Sequence, residues 1–251
     1  VWHSARLLNA AADALYVLAA AIAVWIAAEA ALRTPRLPVR TIAVTGDLRH
    51  VDAAGVRASL EGRIRGNFFG VDLGEVQRAL ERLPWVRRVE VRREWPDRLV
   101  ARIEEHVALA RWSGAGLVNT FGEPFEAKAP DAPLPQLAGP PGTEREVARR
   151  YLAFRSLLAP LGTEPARVQL SARRAWQVTL ANGVRLELGR DQARRSLEER
   201  LARFVAAYPR TAAELDRPPE RVDLRYPNGF AIRVPEAAAA GGAAAPPGRR
   251  T

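Results

Sequence analysis

The first apolar run, ALYVLAAAIAVWIAA from Ala14 to Ala28, contains no polar position and therefore no amphipathic period. As a helix it covers roughly 22 Å, and extension to Leu32 brings it to the ~30 Å of a hydrocarbon core, with Glu29 near an interface. Tyr16 and Trp25 suit interfacial positions, and Ala19, Ala23 and Ala27 recur at a spacing that permits close helix packing. Two readings stand: an uncleaved transmembrane helix over 14–32, or a secretory signal peptide cleaved near Ala28-Glu29-Ala30. Arg6 precedes the run while Arg33, Arg36 and Arg40 follow it, a count that favours the following side as cytoplasmic. Long domains, however, cross largely regardless of such charges. Pro35 and Pro38 then stop the helix in a linker over 33–39.

From residue 40 to 107 the periods shorten. TIAVTG reads as a strand ending at Gly46, and DAAGVRASLEGRI as a short helix with Val56 and Leu60 on one side. GNFFG (66–70) is a loop, and its glycines are too weak a signal for phosphate binding. Asp72 caps a second helix whose buried face is Leu73, Val76, Leu80 and Leu83, and Pro84 stops it. VRRVEVRRE and RLVARIEE then alternate apolar and polar positions, joined through Trp95-Pro96-Asp97, as strands with one wet face. The order β-α-α-β-β describes a small α+β layer domain.

Residues 108–234 read as a mostly antiparallel β domain with two helices. ALARW and GLVNTFGEPF supply short strands with a turn at Asn119-Thr120-Phe121-Gly122, and KAPDAPLPQLAGPPG is a proline-rich surface loop. Val147, Tyr151, Phe154 and Leu158 share one side of a helix over 144–159 that ends at Pro160 and Gly162. RVQLS, AWQVTL and VRLELG are strands, the last two joined by Ala181-Asn182-Gly183, a hairpin signal. Asp191 caps a further helix with Leu197, Leu201, Phe204, Val205 and Tyr208 as its stripe.

The last ordered stretch is RVDLRYPNGFAIRVP, Arg221 to Pro235. A three-residue loop, Pro227-Asn228-Gly229, pairs Tyr226 with Phe230, Leu224 with Ile232, Val222 with Val234, and Asp223 with Arg233. The tail over 235–251 is too poor in apolar bulk to cover the final strand, so the outer edge of Phe230, Ala231, Ile232, Arg233 and Val234 stands open to an added strand. Three to five added backbone hydrogen bonds at ~1 kcal/mol each fall short of the roughly 8 kcal/mol of micromolar binding. Side-chain anchors are therefore needed, and Tyr226 and Phe230 supply apolar ones while Arg173, Arg174 and Arg225 suit partner carboxylates.

Composition narrows the function. The formal charge is +10, but the arginines are dispersed and Lys128 is the only lysine, so no nucleic-acid-binding stripe forms. The absence of cysteine removes disulfides, thiolate metal sites and cysteine nucleophiles. His3, His50 and His106 show no metal-ligand spacing, and His106 beside Glu104 and Glu105 has no accompanying nucleophile. No enzyme, cofactor, metal or small-molecule substrate is expected.

TGDLRHVDAAGV, GNFFGVDLGEVQRALERLPWVRRVEVRREWPDRLVARIEEHVALARW, SARRAWQVTLANGVRLELGR, LARFVAAYP and VDLRYPNGFAIR together resemble the FtsQ/DivIB family of bacterial cell-division proteins. The first two stretches are similar to its polypeptide-transport-associated (POTRA) domain. Ala108 departs from the proline common in that family before ARW, which loosens the expected interdomain connection. The resemblance implies a non-enzymatic divisome scaffold in the inner membrane, with residues 1–13 cytoplasmic, a single membrane helix and a periplasmic bulk at the septum. It also implies binding of FtsB and FtsL through the strand from Tyr226 to Val234, including Asn228 and Gly229, with Arg173-Arg174 as the charged contact. The POTRA domain is expected to meet other divisome proteins. The alternative is a POTRA-type binding module of a secretion or outer-membrane insertion system.

Overall fold

The computed structural model describes residues 5–33, 38–64, 66–114, 116–192, 195–215, 217–226 and 229–235. The expected terminal tail over 235–251 therefore falls, apart from Pro235, outside the described residues, as does most of the linker over 33–39. Helix α1 (Ala5–Arg33) begins well before the expected Ala14. Its apolar span, Leu8–Ala30, is 23 residues, about 35 Å at the α-helical rise, which is long enough for a hydrocarbon core. Asp13 and Glu29 fall inside that helix.

The chain divides into two compact units at His106/Val107. Beyond α1, the first unit contains β1 (Thr41–Thr45), α2 (Ala53–Leu60), α3 (Leu73–Leu80), β2 (Val86–Glu94) and β3 (Arg98–Glu105). This is the β-α-α-β-β order that the periods predict. Asp52 accepts from the Gly55 N–H, and Asp72 from the Gly74 and Glu75 N–H groups, so each helix starts at a carboxylate that satisfies orphan donors. The sheet order is β1-β3-β2, with β1 parallel and β2 antiparallel to the central β3. Val56, Leu60, Val76 and Leu80 from the helices pack with Val89, Leu99, Ala101 and Ile103 from the strands. Gly46 lets the chain leave β1 tight against the sheet: a Cβ there would sit 2.2 Å from the Ile103 carbonyl oxygen.

Glu105 closes β3 with a structural task. Its carboxylate accepts from the backbone N–H groups of Arg49, His50 and Val51 and lies 3.1 Å from His50 Nδ1, pinning the loop between β1 and α2. Burial alone would raise its pKa, but the converging donors outweigh that and lower it. His50 stacks on Trp85, with ring centroids 3.7 Å apart.

The second unit contains β4 (Ala108–Trp112), β5 (Leu117–Asn119), β6 (Pro124–Phe125), β7 (Gln136–Ala138), α4 (Glu144–Leu158), β8 (Pro165–Leu170), β9 (Ala175–Leu180), β10 (Arg185–Arg190), α5 (Leu197–Ala213), β11 (Arg221–Asp223) and β12 (Ala231–Arg233). The strands make one nine-stranded sheet in the order β12-β11-β10-β9-β8-β7-β4-β5-β6. Most neighbours are antiparallel; β7 runs parallel to β4 and β8, and β10 parallel to β11. The crossovers from β7 to β8 and from β10 to β11 pass through α4 and α5, which pack on each other and on the sheet. Phe154, Leu158, Leu197, Leu201 and Phe204 fill the core beneath them.

Two expectations fail here. The proline-rich stretch is not only a surface loop, because its centre is β7 and Leu137 is fully buried between β4 and β8. The flanking Pro135 and Pro140 lie outside the paired residues, and the Pro135 carbonyl still accepts from the Arg111 N–H, so neither ring interrupts the ladder. Likewise, Asp191 does not cap α5. Ser196 does, in a reciprocal capping box with Glu199, while Asp191 and Glu198 hold the Arg150 guanidinium.

Leu137→Ala tests the central role of β7. Loss of a fully enclosed leucine is expected to cost about 2–5 kcal/mol in urea unfolding, whereas truncation in a surface loop would cost almost nothing.

Candidate partner-binding edge

The hairpin of β11 and β12 forms one end of the large sheet. Leu224 donates its N–H to the Glu187 carbonyl, and Arg185 donates to the Glu220 carbonyl, so the even-numbered residues of β11 face β10. Backbone groups alternate along a strand, so Arg221 and Asp223 face β12 and pair with Arg233 and Ala231. The N–H and C=O groups of Ile232 in β12, and of Phe230 and Val234 flanking it where the alternation continues, therefore point away from the sheet, and no strand lies on that side among the described residues.

The register differs from the sequence expectation by two residues. Val222 faces Ile232, not Val234, and Asp223 faces Ala231, not Arg233. A shift of two keeps every side chain on its intended face, so hydrophobic alternation alone cannot reject it. Packing decides. Val222 and Leu224 are buried, and Phe230 meets Phe204 of α5 edge-on at 5.6 Å. Phe230 is thus half in the core, while Tyr226 is the exposed aromatic, at 55%.

Asp223 takes a different cation from the one expected. Arg225 donates from Nε at 2.9 Å and from Nη2 at 2.5 Å, a two-armed clamp within one strand end. These hydrogen bonds hold the Asp223 carboxyl below its ordinary pKa and raise that of Arg225. The charge of Arg225 is therefore already matched within the hairpin. Arg173 and Arg174 form the turn between β8 and β9, with Arg174 in the left-handed region at φ 62 and hydrogen-bonded to Glu146 of α4. Arg173 is exposed and has no partner among the described residues. The ladder pairs Ala175 with Arg190, so this turn lies at the same sheet end as the hairpin tip. It sits three strand spacings from β12, roughly 14 Å. Asn228 lies outside the described residues; Gly229 is exposed, and a Cβ there would meet nothing within 4 Å.

A cavity of about 230 Å3 opens beside this edge, lined by Arg200, Arg203 and Ala207 of α5 and by Leu224, Gly229 and Phe230 of the hairpin. Sequence reasoning missed it. Arg200 is buried and donates to the carbonyls of Leu188, Arg190 and Arg195, tying α5 to the end of β10. Its position three residues after Leu197, on the apolar stripe, was the available signal.

Residues 37–106 match the FtsQ-type POTRA domain, and residues 110–225 match the C-terminal domain of cell division protein FtsQ/DivIB. The chain belongs to the FtsQ/DivIB family. It is 43% identical over 241 residues to the cell division protein FtsQ of Burkholderia pseudomallei, covering 93% of this chain and 94% of that protein. The FtsQ of Nitrosospira multiformis is 39% identical over 238 residues, covering 93% of this chain and 99% of that one. The FtsQ of Bordetella pertussis is 38% identical over 255 residues, with 93% of each chain covered. The family match of the second domain stops at Arg225, so β12 lies beyond it and rests on its own geometry.

The depressed Asp223 pKa links this clamp to acid stability. Its contribution, about 1 kcal/mol for a partly exposed charge-assisted pair, is complete above the unfolded pKa near 3.8. It is lost as pH falls through the lower folded value. Urea unfolding of the wild type and of Asp223→Asn is expected to converge in acid and to separate above about pH 4; a constant difference across that range would refute the clamp.

Proposed function

We propose that this chain is a membrane-anchored, non-enzymatic scaffold of the cell-division machinery that takes a strand from its partners FtsB and FtsL along the outer side of β12. Membership of the FtsQ/DivIB family supports the divisome role. The observation that carries the docking mode is the row of outward backbone groups at Phe230, Ile232 and Val234, with Tyr226 exposed and an Arg-lined cavity beside it. An incoming strand gains main-chain hydrogen bonds from the row, and its side chains find an apolar wall and cationic rim in the cavity. Arg173, at the same sheet end, suits a partner carboxylate. β2 also ends a sheet, and contacts of the POTRA domain with further divisome proteins are assigned to that unit.

In this reading α1 spans the inner membrane as an uncleaved anchor, with the N-terminus in the cytoplasm and both compact units in the periplasm at the septum. The secretion-module alternative loses its support, because the second domain matches the FtsQ/DivIB C-terminal domain.

The alternation of backbone groups supplies a paired test. Ile232→Pro removes an outward N–H and leaves the pairing with β11 intact; Ala231→Pro removes an inward one. Ile232→Pro is expected to weaken binding of the periplasmic part of FtsB at least about tenfold by calorimetry relative to Ile232→Ala, which loses the same core packing but keeps the N–H, with the same unfolding midpoint as that variant. Ala231→Pro is expected to lower both. Full binding by Ile232→Pro would sink strand addition at this edge.

A further inference from the structure

The first unit has two ends, fixed by the alternation of its elements. β1 leads away from the end where the chain arrives, α2 returns, α3 leaves, β2 returns and β3 leaves. The arrival point, the loop between α2 and α3 and the turn between β2 and β3 therefore share one end. The register agrees: Thr41 pairs with Arg98, which pairs with Glu94, and Arg40 donates to the Asp97 carbonyl at 2.9 Å. Among the described residues of this unit outside α1, the exposed large hydrophobic side chains are Phe69 and Trp95, at 45% and 77%. Both lie at that end.

Phe69 is held there by design of the loop. Asn67, buried, accepts from the N–H groups of Phe69 and Gly70, and Phe68 is buried, which turns its neighbour outward. Arg93 then clamps the loop, donating to the carbonyls of Phe68, Phe69 and Val71. Around the aromatics, Arg40, Arg92, Arg93 and Arg98 stand among the carboxylates of Glu61, Asp72, Glu94 and Asp97, with Arg40 paired to Asp97 and Arg92 and Arg98 both to Glu94. The tether is short. Between Arg33, where α1 ends, and Arg40 the chain reaches at most about 25 Å, whatever its conformation.

We propose that this end of the POTRA domain, through Trp95 and Phe69, rests in the interface of the bilayer that α1 spans. Tryptophan and phenylalanine beside arginines are the side chains that settle at headgroup depth next to anionic lipid. Two aromatics alone bind a vesicle weakly, but the tether makes the contact intramolecular and keeps the tip at high local concentration. The contact fixes the domain upright and holds the far end, with the His50–Trp85 stack, away from the membrane. The inference rests on α1 as an anchor and is independent of partner docking at β12.

The absence of cysteine permits a clean test on the full chain. A nitrobenzoxadiazole label is placed on Gly70→Cys, an exposed position beside Phe69, or on Asp47→Cys at the far end. Each chain is inserted into vesicles of phosphatidylethanolamine with phosphatidylglycerol, or of phosphatidylcholine alone, and flotation verifies insertion of α1. The tip label is expected to be quenched by lipid-borne spin label and shielded from iodide, and the far label to show the reverse. Trp95→Ser with Phe69→Ser is expected to lower tip quenching several-fold with flotation and melting unchanged. Phosphatidylcholine vesicles are expected to weaken the contact, by about fivefold for each arginine that meets anionic lipid. A tip label as open to iodide as the far label, or tip quenching unaffected by the double serine variant, overturns the proposal and leaves the tip to a protein partner.

Discussion

Backbone hydrogen bonding must be satisfied on both sides of a buried strand, and the large sheet meets that demand everywhere except at its two ends. At one end stands β6, two residues long and beginning with Pro124, which has no N–H to offer. At the other stands β12, whose outward groups belong to Phe230, Ile232 and Val234. Both edges are short, and the second has outward donors with an exposed tyrosine and a cavity beside it. The rest of the second domain holds this edge in place.

A hairpin of three paired residues is too small to persist by itself, since isolated two-stranded ribbons are marginal in water. Its support comes from elsewhere. β11 is fixed by parallel pairing with β10, and that pairing exists only because α5 carries the chain across the sheet. Arg200 ties α5 to the carbonyls at the end of β10, and Phe204 receives Phe230. Arg225 closes on Asp223 at the tip. The edge is therefore held in position by the rest of the domain, and a strand added to such a pre-formed edge costs less ordering.

The POTRA unit solves a different problem with the same rules. Its five elements alternate direction, so its connections fall at two ends, and the chain assigns them opposite characters. One end is polar and internally bonded, with Glu105 accepting three backbone N–H groups. The other carries the unit's exposed aromatics on a loop that Asn67 and Arg93 hold in shape. Each unit thus has its own exposed feature: the outward side of β12 in the second and the aromatic tip of the POTRA sheet in the first.

The sequence by itself determined the elements whose signal is local. α1 follows from an uninterrupted apolar run, β2 and β3 from strict alternation, α2 from Val56 and Leu60 on one side, α3 from its Asp72 cap, and the hairpin between β9 and β10 from Asn182-Gly183. The existence of the last hairpin was legible for the same reason. Tertiary structure alone decided the strand order, the promotion of Gln136–Ala138 to a central strand between two prolines, and the register of β12. It also decided that Arg225 is clamped and that Arg200 lines a cavity. The physical reason is common to these cases: a three-residue strand has too little periodicity to choose its partner or register, so the choice passes to packing against α4 and α5. Burial of Glu105 likewise depends on backbone groups more than fifty residues away in sequence, and that of Arg200 on carbonyls at the end of β10 that face it only once α5 folds back.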